Sequence, residues 1–165
     1  MKTRKKLITF LFDKSQKIYG DLFVKRESWG IKKTELLTYP KYAFGHHLGL
    51  FLQRNNFELI PKGEQHDAYH TLTGYNTKVE DEIALQYLCI GNGKRSLYVL
   101  AAASVGLLLL PEYYRFYFKS FSIGKNANPF YHLNFKQLLQ VSLKDLQQAI
   151  FSKKQIEIIQ THSHK

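Results

Sequence analysis

A chain of 165 residues with 44% hydrophobic and 15% aromatic composition can form one domain that buries roughly two thirds of its unfolded surface, so it requires neither a disulfide framework nor a structural zinc finger. A single cysteine, Cys89, excludes an intramolecular disulfide and a multi-cysteine metal site, and fits a reducing compartment. The formal net charge of +11 calls for an anionic partner, and composition alone does not separate nucleic acid from membrane head groups.

The chain opens on Lys2, Arg4, Lys5 and Lys6, followed by the apolar run Leu7 to Phe12. That run is too short for the core of a signal peptide and no small-residue cleavage site follows it, so no secretory signal is expected. Leu7, Leu11, Ile18 and Leu22 share one helical face with Lys14 and Lys17 elsewhere, which makes residues 1–30 a basic amphipathic helix, packed on the core or lying on a membrane surface. Ser28-Trp29-Gly30 and Tyr39-Pro40 are breaks, with a short helix between them at Thr34 to Thr38. From about Tyr42, the spacing of Phe44, Leu48, Phe51 and Leu52 predicts a helix running to Asn55-Asn56, with His46 and His47 read as structural or surface histidines.

After a loop, a helix is expected over Glu64 to Thr73, stopped by Gly74, the residue type that accepts a left-handed C-cap most cheaply. Thr77-Lys78-Val79-Glu80 has the form of a capping box, placing Thr77 at the N-cap of a helix that ends at Gly91-Asn92-Gly93. Cys89 fits there as a small buried apolar residue. The Gly-x-Gly-Lys run lacks both the earlier glycine of a phosphate loop and the preceding strand of a dinucleotide fingerprint, so neither is assigned. Lys94 and Arg95 are candidates for holding an anionic head group, or simply a solvated helix start.

Ser96 to Leu110 is uncharged but short of the ~20 residues a spanning helix needs, so it is read as a buried central helix. Ala101, Ala102, Ala103, Ser104 and Gly106 give it a small-residue surface that a helix or an apolar chain can approach closely. Pro111 to about Ser122 interleaves aromatics with Arg115 and Lys119, a pattern of a buried or interfacial helix and, in the absence of a nucleic-acid motif, not of a base-stacking platform. Gly124 to Asn128 is a loop, helical material returns at Phe135 to Leu139 and Ser142 to Phe151, and Ser142 with Asp145 forms a second capping box. The tail beyond Ser152 is polar and expected to fray, with His162 and His164 as surface residues. With no repeat and no alternating strand, the expectation is an all-α single domain of about six to eight helices, arranged as residues 1–30, 31–152 and a polar tail 153–165.

The chemistry concentrates at His66-Asp67-Ala68-Tyr69-His70 and Glu82. At about 100° per residue His66, His70 and Asp67 project at roughly 0°, 40° and 100°, so three metal-ligand types share one side of a helix. Two histidines four apart lie about 6 Å apart and can converge on one ion, as in the zincin motif, where glutamate stands in the place of Asp67. Aspartate is one methylene shorter, which suits a direct ligand or a partner that orients His66 or His70 rather than a general base. The Gly74 turn brings the next helix alongside as a hairpin, and Glu82 can then supply a fourth ligand, with Glu80 and Asp81 close enough to compete. Such a set suits zinc, and equally iron or manganese. The bland alternative is a pair of buried histidines neutralised by carboxylates. A His-Asp phosphohydrolase is a further reading, drawing on His46 or His47 and Asp145.

His66-Asp67-x-x-His70, eleven residues, then Glu82 resembles the signature of the ubiquinone (coenzyme Q) biosynthesis protein four family. The surroundings Tyr69 to Tyr75 and Glu82 to Gln86 are similar too, as are Phe44-Gly45 through Phe51-Leu52, Gly124-Lys125 before Pro129-Phe130, and Leu143 to Phe151. The resemblance implies a helical fold, a zinc-type site at His66, Asp67, His70 and Glu82, and peripheral association with the inner face of the cell membrane from the cytoplasm. It also implies a role in maturing a polyprenylated quinone head group, either as a lyase that decarboxylates ring carbon one, coupled to hydroxylation, or as a scaffold organising other quinone biosynthesis enzymes. The expected partners are a polyprenylated quinone precursor or another prenyl lipid, the membrane surface, those enzymes and a second copy of the chain, without nucleic acid. The prenyl tail is expected along Ala101, Ala102, Ala103 and Gly106.

Overall fold

The computed structural model of the protein describes residues 3–6, 27–61 and 63–163, and the expected helix face of Leu7, Leu11, Ile18 and Leu22 lies outside them. The described residues form helices without a named strand: α1 (Lys33–Leu36), α2 (Phe44–Arg54), α3 (Glu64–Thr73), α4 (Val79–Gly91), α5 (Leu97–Leu109), α6 (Tyr114–Asn126), α7 (Leu143–Ile150) and α8 (Lys153–Ser163). Short 3-10 turns at Pro111–Tyr113 and Phe135–Leu138 join them. The helices pack as two groups, Asn76–His132 with residues 3–6, and 27–75 with Leu133 onward.

In the second group α2 carries Phe44, Leu48 and Leu52 fully buried at the predicted spacing, and α3 adds Tyr69 and Leu72. Phe135 joins them, its ring 5.4 Å from that of Phe44 and edge-on to Tyr69 at 5.8 Å. The opening N–H groups of α2, which have no partner inside a helix, are taken up by this same stretch: Phe44 N donates to Val141 O and Gly45 N to Leu139 O. Glu64, at the N-terminal end of α3, is buried and accepts on one oxygen from the Ser28 hydroxyl (2.8 Å) and Trp29 N–H (2.9 Å), which anchors the segment before α1.

In the first group α4 packs on α5 and α6. Gly91 of α4 lies so close to α6 that a Cβ there would stand 2.1 Å from Phe121 O, and Gly124 of α6 returns the contact, its Cβ position 2.0 Å from Leu88 O. At α4's end the buried Asn92 side chain donates to Gly124 O (3.0 Å) and Asn128 O (3.2 Å) and accepts from Phe130 N (2.7 Å) and Tyr131 N (3.1 Å). One carboxamide thereby supplies the hydrogen bonds of an irregular segment that has no ladder of its own. Cys89 is buried on α4, and burial pushes its thiol from an ordinary 9.0 up to about 11. We predict that iodoacetamide at pH 8 leaves Cys89 unmodified in the folded protein and labels it fully in denaturant, as read by mass; stoichiometric labelling of the folded chain would overturn this. Because the unfolded thiol ionises first, this group's contribution to stability is complete below about pH 9 and is lost as pH rises toward 11.

Four expectations change. α4 starts at Val79 with Lys78 at its N-cap rather than Thr77, and Glu80 pairs with Lys5 Nζ at 2.8 Å instead of reaching back. The loop expected at Gly124 is helix to Asn126, because that glycine serves close approach rather than a turn. The tail is helical as α8: Ser152 and Gln155 make a capping box, Ser152 N donating to Gln155 Oε1 (2.8 Å) and Gln155 N to Ser152 Oγ (3.4 Å), and Ile159 is buried. Finally α5 is not a buried central helix. Only Val99, Ala103 and Gly106 along its length are buried, because a single face packs, Gly106 pressed against Ile83 of α4.

Candidate metal centre

α3 ends where expected, at Gly74 in the left-handed conformation (φ 69°), whose N–H bonds to His70 O at 2.7 Å. The turn this creates brings the Tyr75 carbonyl within 2.9 Å of His70 Nδ1. A carbonyl can only accept, so Nδ1 carries the hydrogen, and in its neutral form the ring presents its lone pair at Nε2. The ring is held on its face as well, stacked on Phe51 of α2 at 5.3 Å and 14°, and is 2% exposed. The His66 ring stands edge-on to it, with the two Nε2 atoms 3.1 Å apart. With a lone pair on His70 Nε2, that distance fits either an N–H given by His66 or two lone pairs converging on a cation.

On the consecutive helices α3 and α4, His66, His70 and Glu82 make up a group with the chemistry to hold a metal ion, one ligand atom from each lying within 4.8 Å of the others. Two imidazoles and a carboxylate are the donor set of many three-ligand sites. Among the described residues this is the one such group of three or more histidine, cysteine, aspartate or glutamate side chains. Asp67 is half-buried on the same helix but is not one of the three. Of the competing carboxylates on α4, Glu80 pairs with Lys5, and neither it nor Asp81 is in the group, which takes Glu82. His46, His47 and Asp145 are not in the group, and His46 Nδ1 lies instead 3.1 Å from Leu37 O.

Two features that hold His70 were not read from the sequence. Phe51 follows the α2 apolar pattern and looks like ordinary core, and the Tyr75 carbonyl has no side-chain signal at all, although a glycine C-cap one residue before it is what turns that carbonyl back. Among the other expected site residues, Arg95 is exposed and Lys94 half-buried ahead of α5, whereas Ala103 and Gly106 are internal packing positions and so present no surface to a lipid tail.

Residues 60–155 match the family model of the coenzyme Q (ubiquinone) biosynthesis protein Coq4. The chain belongs to the Coq4 family. The match takes in the ligand group and runs from the loop before α3 into α8. No curated protein matches the chain significantly. Among solved structures, a Nostoc punctiforme PCC 73102 protein provisionally named for ubiquinone biosynthesis is 15% identical, covering 90% of this chain and 81% of its own, with a TM-score of 0.62. At that identity the likeness is one of fold. Among the described residues no single helix is long and apolar enough to cross a membrane.

Proposed function

We propose that this Coq4-family chain holds a divalent metal ion, zinc in the first instance, with His66, His70 and Glu82, and decarboxylates the prenylated hydroxybenzoate head group of a ubiquinone precursor. The observation that carries the reading is the convergence of those three side chains on consecutive helices, inside the segment that matches the family. When bound, a divalent ion supplies Lewis-acid stabilisation of the negative charge that develops as carbon dioxide leaves. His70 is the fixed ligand, its tautomer set by Tyr75 O and its ring plane by Phe51. Asp67 adds negative charge on the same helix and orients His66 or completes the ligand set. In the reaction the ring-to-carboxyl bond breaks, its electron pair stays on the ring carbon, and a proton replaces the departing carbon dioxide. The coupled hydroxylation needs an oxidant, which zinc, having no redox chemistry, does not provide, so that step belongs to a partner enzyme of the pathway.

The test is carbon dioxide release from a prenylated hydroxybenzoate by metal-loaded protein, with His70→Ala as control. Release that disappears with His70→Ala supports the reading. Co-purification of the lipid without turnover would replace it by a carrier or scaffold that presents the intermediate to other enzymes.

A further inference from the structure

Two of the basic residues that open the chain are tied down. Arg4 donates to Leu109 O at the end of α5 (3.0 Å) and closes on the Glu112 carboxylate with both of its terminal nitrogens (3.0 and 3.5 Å), which seats residues 3–6 where α5 gives way to the Pro111–Tyr113 turn. The next side chain reaches α4. Lys5 Nζ donates to Glu80 Oε2 (2.8 Å) and to Tyr113 OH (3.1 Å), and stands 5.1 Å from the centre of the Tyr113 ring. The pair is shielded, with 27% of the Lys5 side chain and 16% of the Glu80 side chain exposed. A carboxylate so far from water depends on its cation, and the contact is firmer than an ion pair on an open surface.

Glu80 lies in the first turn of α4, two residues before Glu82. The N-cap of that helix, Lys78, makes no side-chain capping bond, and a helix start without one frays readily. At 100° per residue Glu80 and Glu82 project about 160° apart, so Lys5 holds the turn from the side opposite Glu82. A grip there fixes the rotation of the turn about its axis. That rotation decides whether the Glu82 carboxylate stays within 4.8 Å of the ligand nitrogens of His66 and His70.

We infer that Lys5 is a positioning residue of the metal centre, which through Glu80 fixes the first turn of α4 and thereby the place of Glu82. The inference rests on the metal site proposed for His66, His70 and Glu82 and adds to it a residue that touches none of them through its Glu80 and Tyr113 bonds. Charge alone predicts the opposite sign. A lysine near a cation site repels the ion, so its removal would tighten binding, whereas removal of a positioning lysine weakens it.

The experiment is zinc titration of the metal-stripped full chain against a chromophoric chelator, with hydrogen exchange of residues 79–83 read by mass. Lys5→Met should weaken zinc binding about tenfold and speed exchange in that segment. Lys5→Arg keeps a charged donor and should restore most of both. Because Lys5 acts through Glu80, Lys5→Met/Glu80→Met should bind zinc no more weakly than the weaker of the two single variants. Lys6→Met, at an exposed neighbour, should change neither reading. Unchanged or tighter zinc binding by Lys5→Met, losses that add in the double variant, or a loss in Lys5→Arg as large as in Lys5→Met would each overturn the inference and leave the metal site standing. Wild-type protein that takes up no zinc would overturn the metal site and the inference with it. Should Lys5→Met fail to fold, Glu80→Met decides: zinc binding about tenfold weaker together with faster exchange at 79–83 supports the inference, and wild-type affinity refutes it.

Discussion

Replacing Gly124 by alanine is expected to lower the melting temperature by more than about 10 °C or to prevent folding, read by circular dichroism at 222 nm. Alanine ordinarily strengthens a helix relative to glycine by about 1 kcal/mol. Here that gain is overwhelmed, because the added methyl would sit 2.0 Å from the Leu88 carbonyl oxygen and 3.0 Å from Asn92 N, both of them backbone atoms that no rotamer change can move aside. α4 and α6 would have to part by more than an ångström along their contact, opening voids in a close-packed interior. A penalty above about 4 kcal/mol is a large share of the 5–15 kcal/mol that holds a typical domain together. Gly91→Ala, 2.1 Å from Phe121 O, should behave alike. Gly30 is the control: its φ of +67° strains alanine by about 1–2 kcal/mol, but nothing lies within 4 Å of the new methyl. A Gly124→Ala protein melting no lower than Gly30→Ala would show that the helices are not in this contact.

The second large effect is expected at the ligand group. Protein purified without a histidine tag should carry about one metal ion per chain, and His70→Ala or Glu82→Ala should each reduce this below about a tenth, by elemental analysis. His70 is the more severe site, since its loss also removes a hydrogen bond to the Tyr75 carbonyl and the ring that stacks on Phe51. Phe51→Leu removes only the stacking and should weaken binding by about tenfold without abolishing it. Metal-free wild-type protein, or full occupancy in Glu82→Ala, would remove the site and with it the proposed chemistry. Full occupancy without carbon dioxide release would keep the site and leave the carrier.

The fold class and the grouping of His66, His70 and Glu82 were legible because both are local. His66, His70 and Glu82 lie within one helix, a glycine-capped turn and the first turns of the next helix, and apolar spacing at α2 and α3 repeats on the scale that periodicity detects. What depended on distant partners was not legible. Gly124 reads as a breaker until Leu88 is known to press against it, and Thr77 reads as a cap until Glu80 is found with Lys5. The capping box of Ser152 and Gln155 was in the sequence and was obscured by the polar residues around it. α5 misled for a third reason, since apolarity all round a helix does not tell which of its faces packs against the protein, and here only the face of Val99, Ala103 and Gly106 does.

Asn92 is followed by Gly93, and in a loose chain that pairing is chemically short-lived, because the glycine nitrogen can attack the asparagine side-chain carbonyl and expel ammonia, giving a cyclic imide that water then opens to a carboxylate. In the fold all four hydrogen-bonding positions of that carboxamide are engaged, and the residue is buried. Ageing at this bond is therefore confined to molecules that have opened locally, and its rate measures how often the end of α4 comes apart. A molecule once converted would face Gly124 O and Asn128 O with an acceptor where it had a donor, so that it would close again less firmly than before.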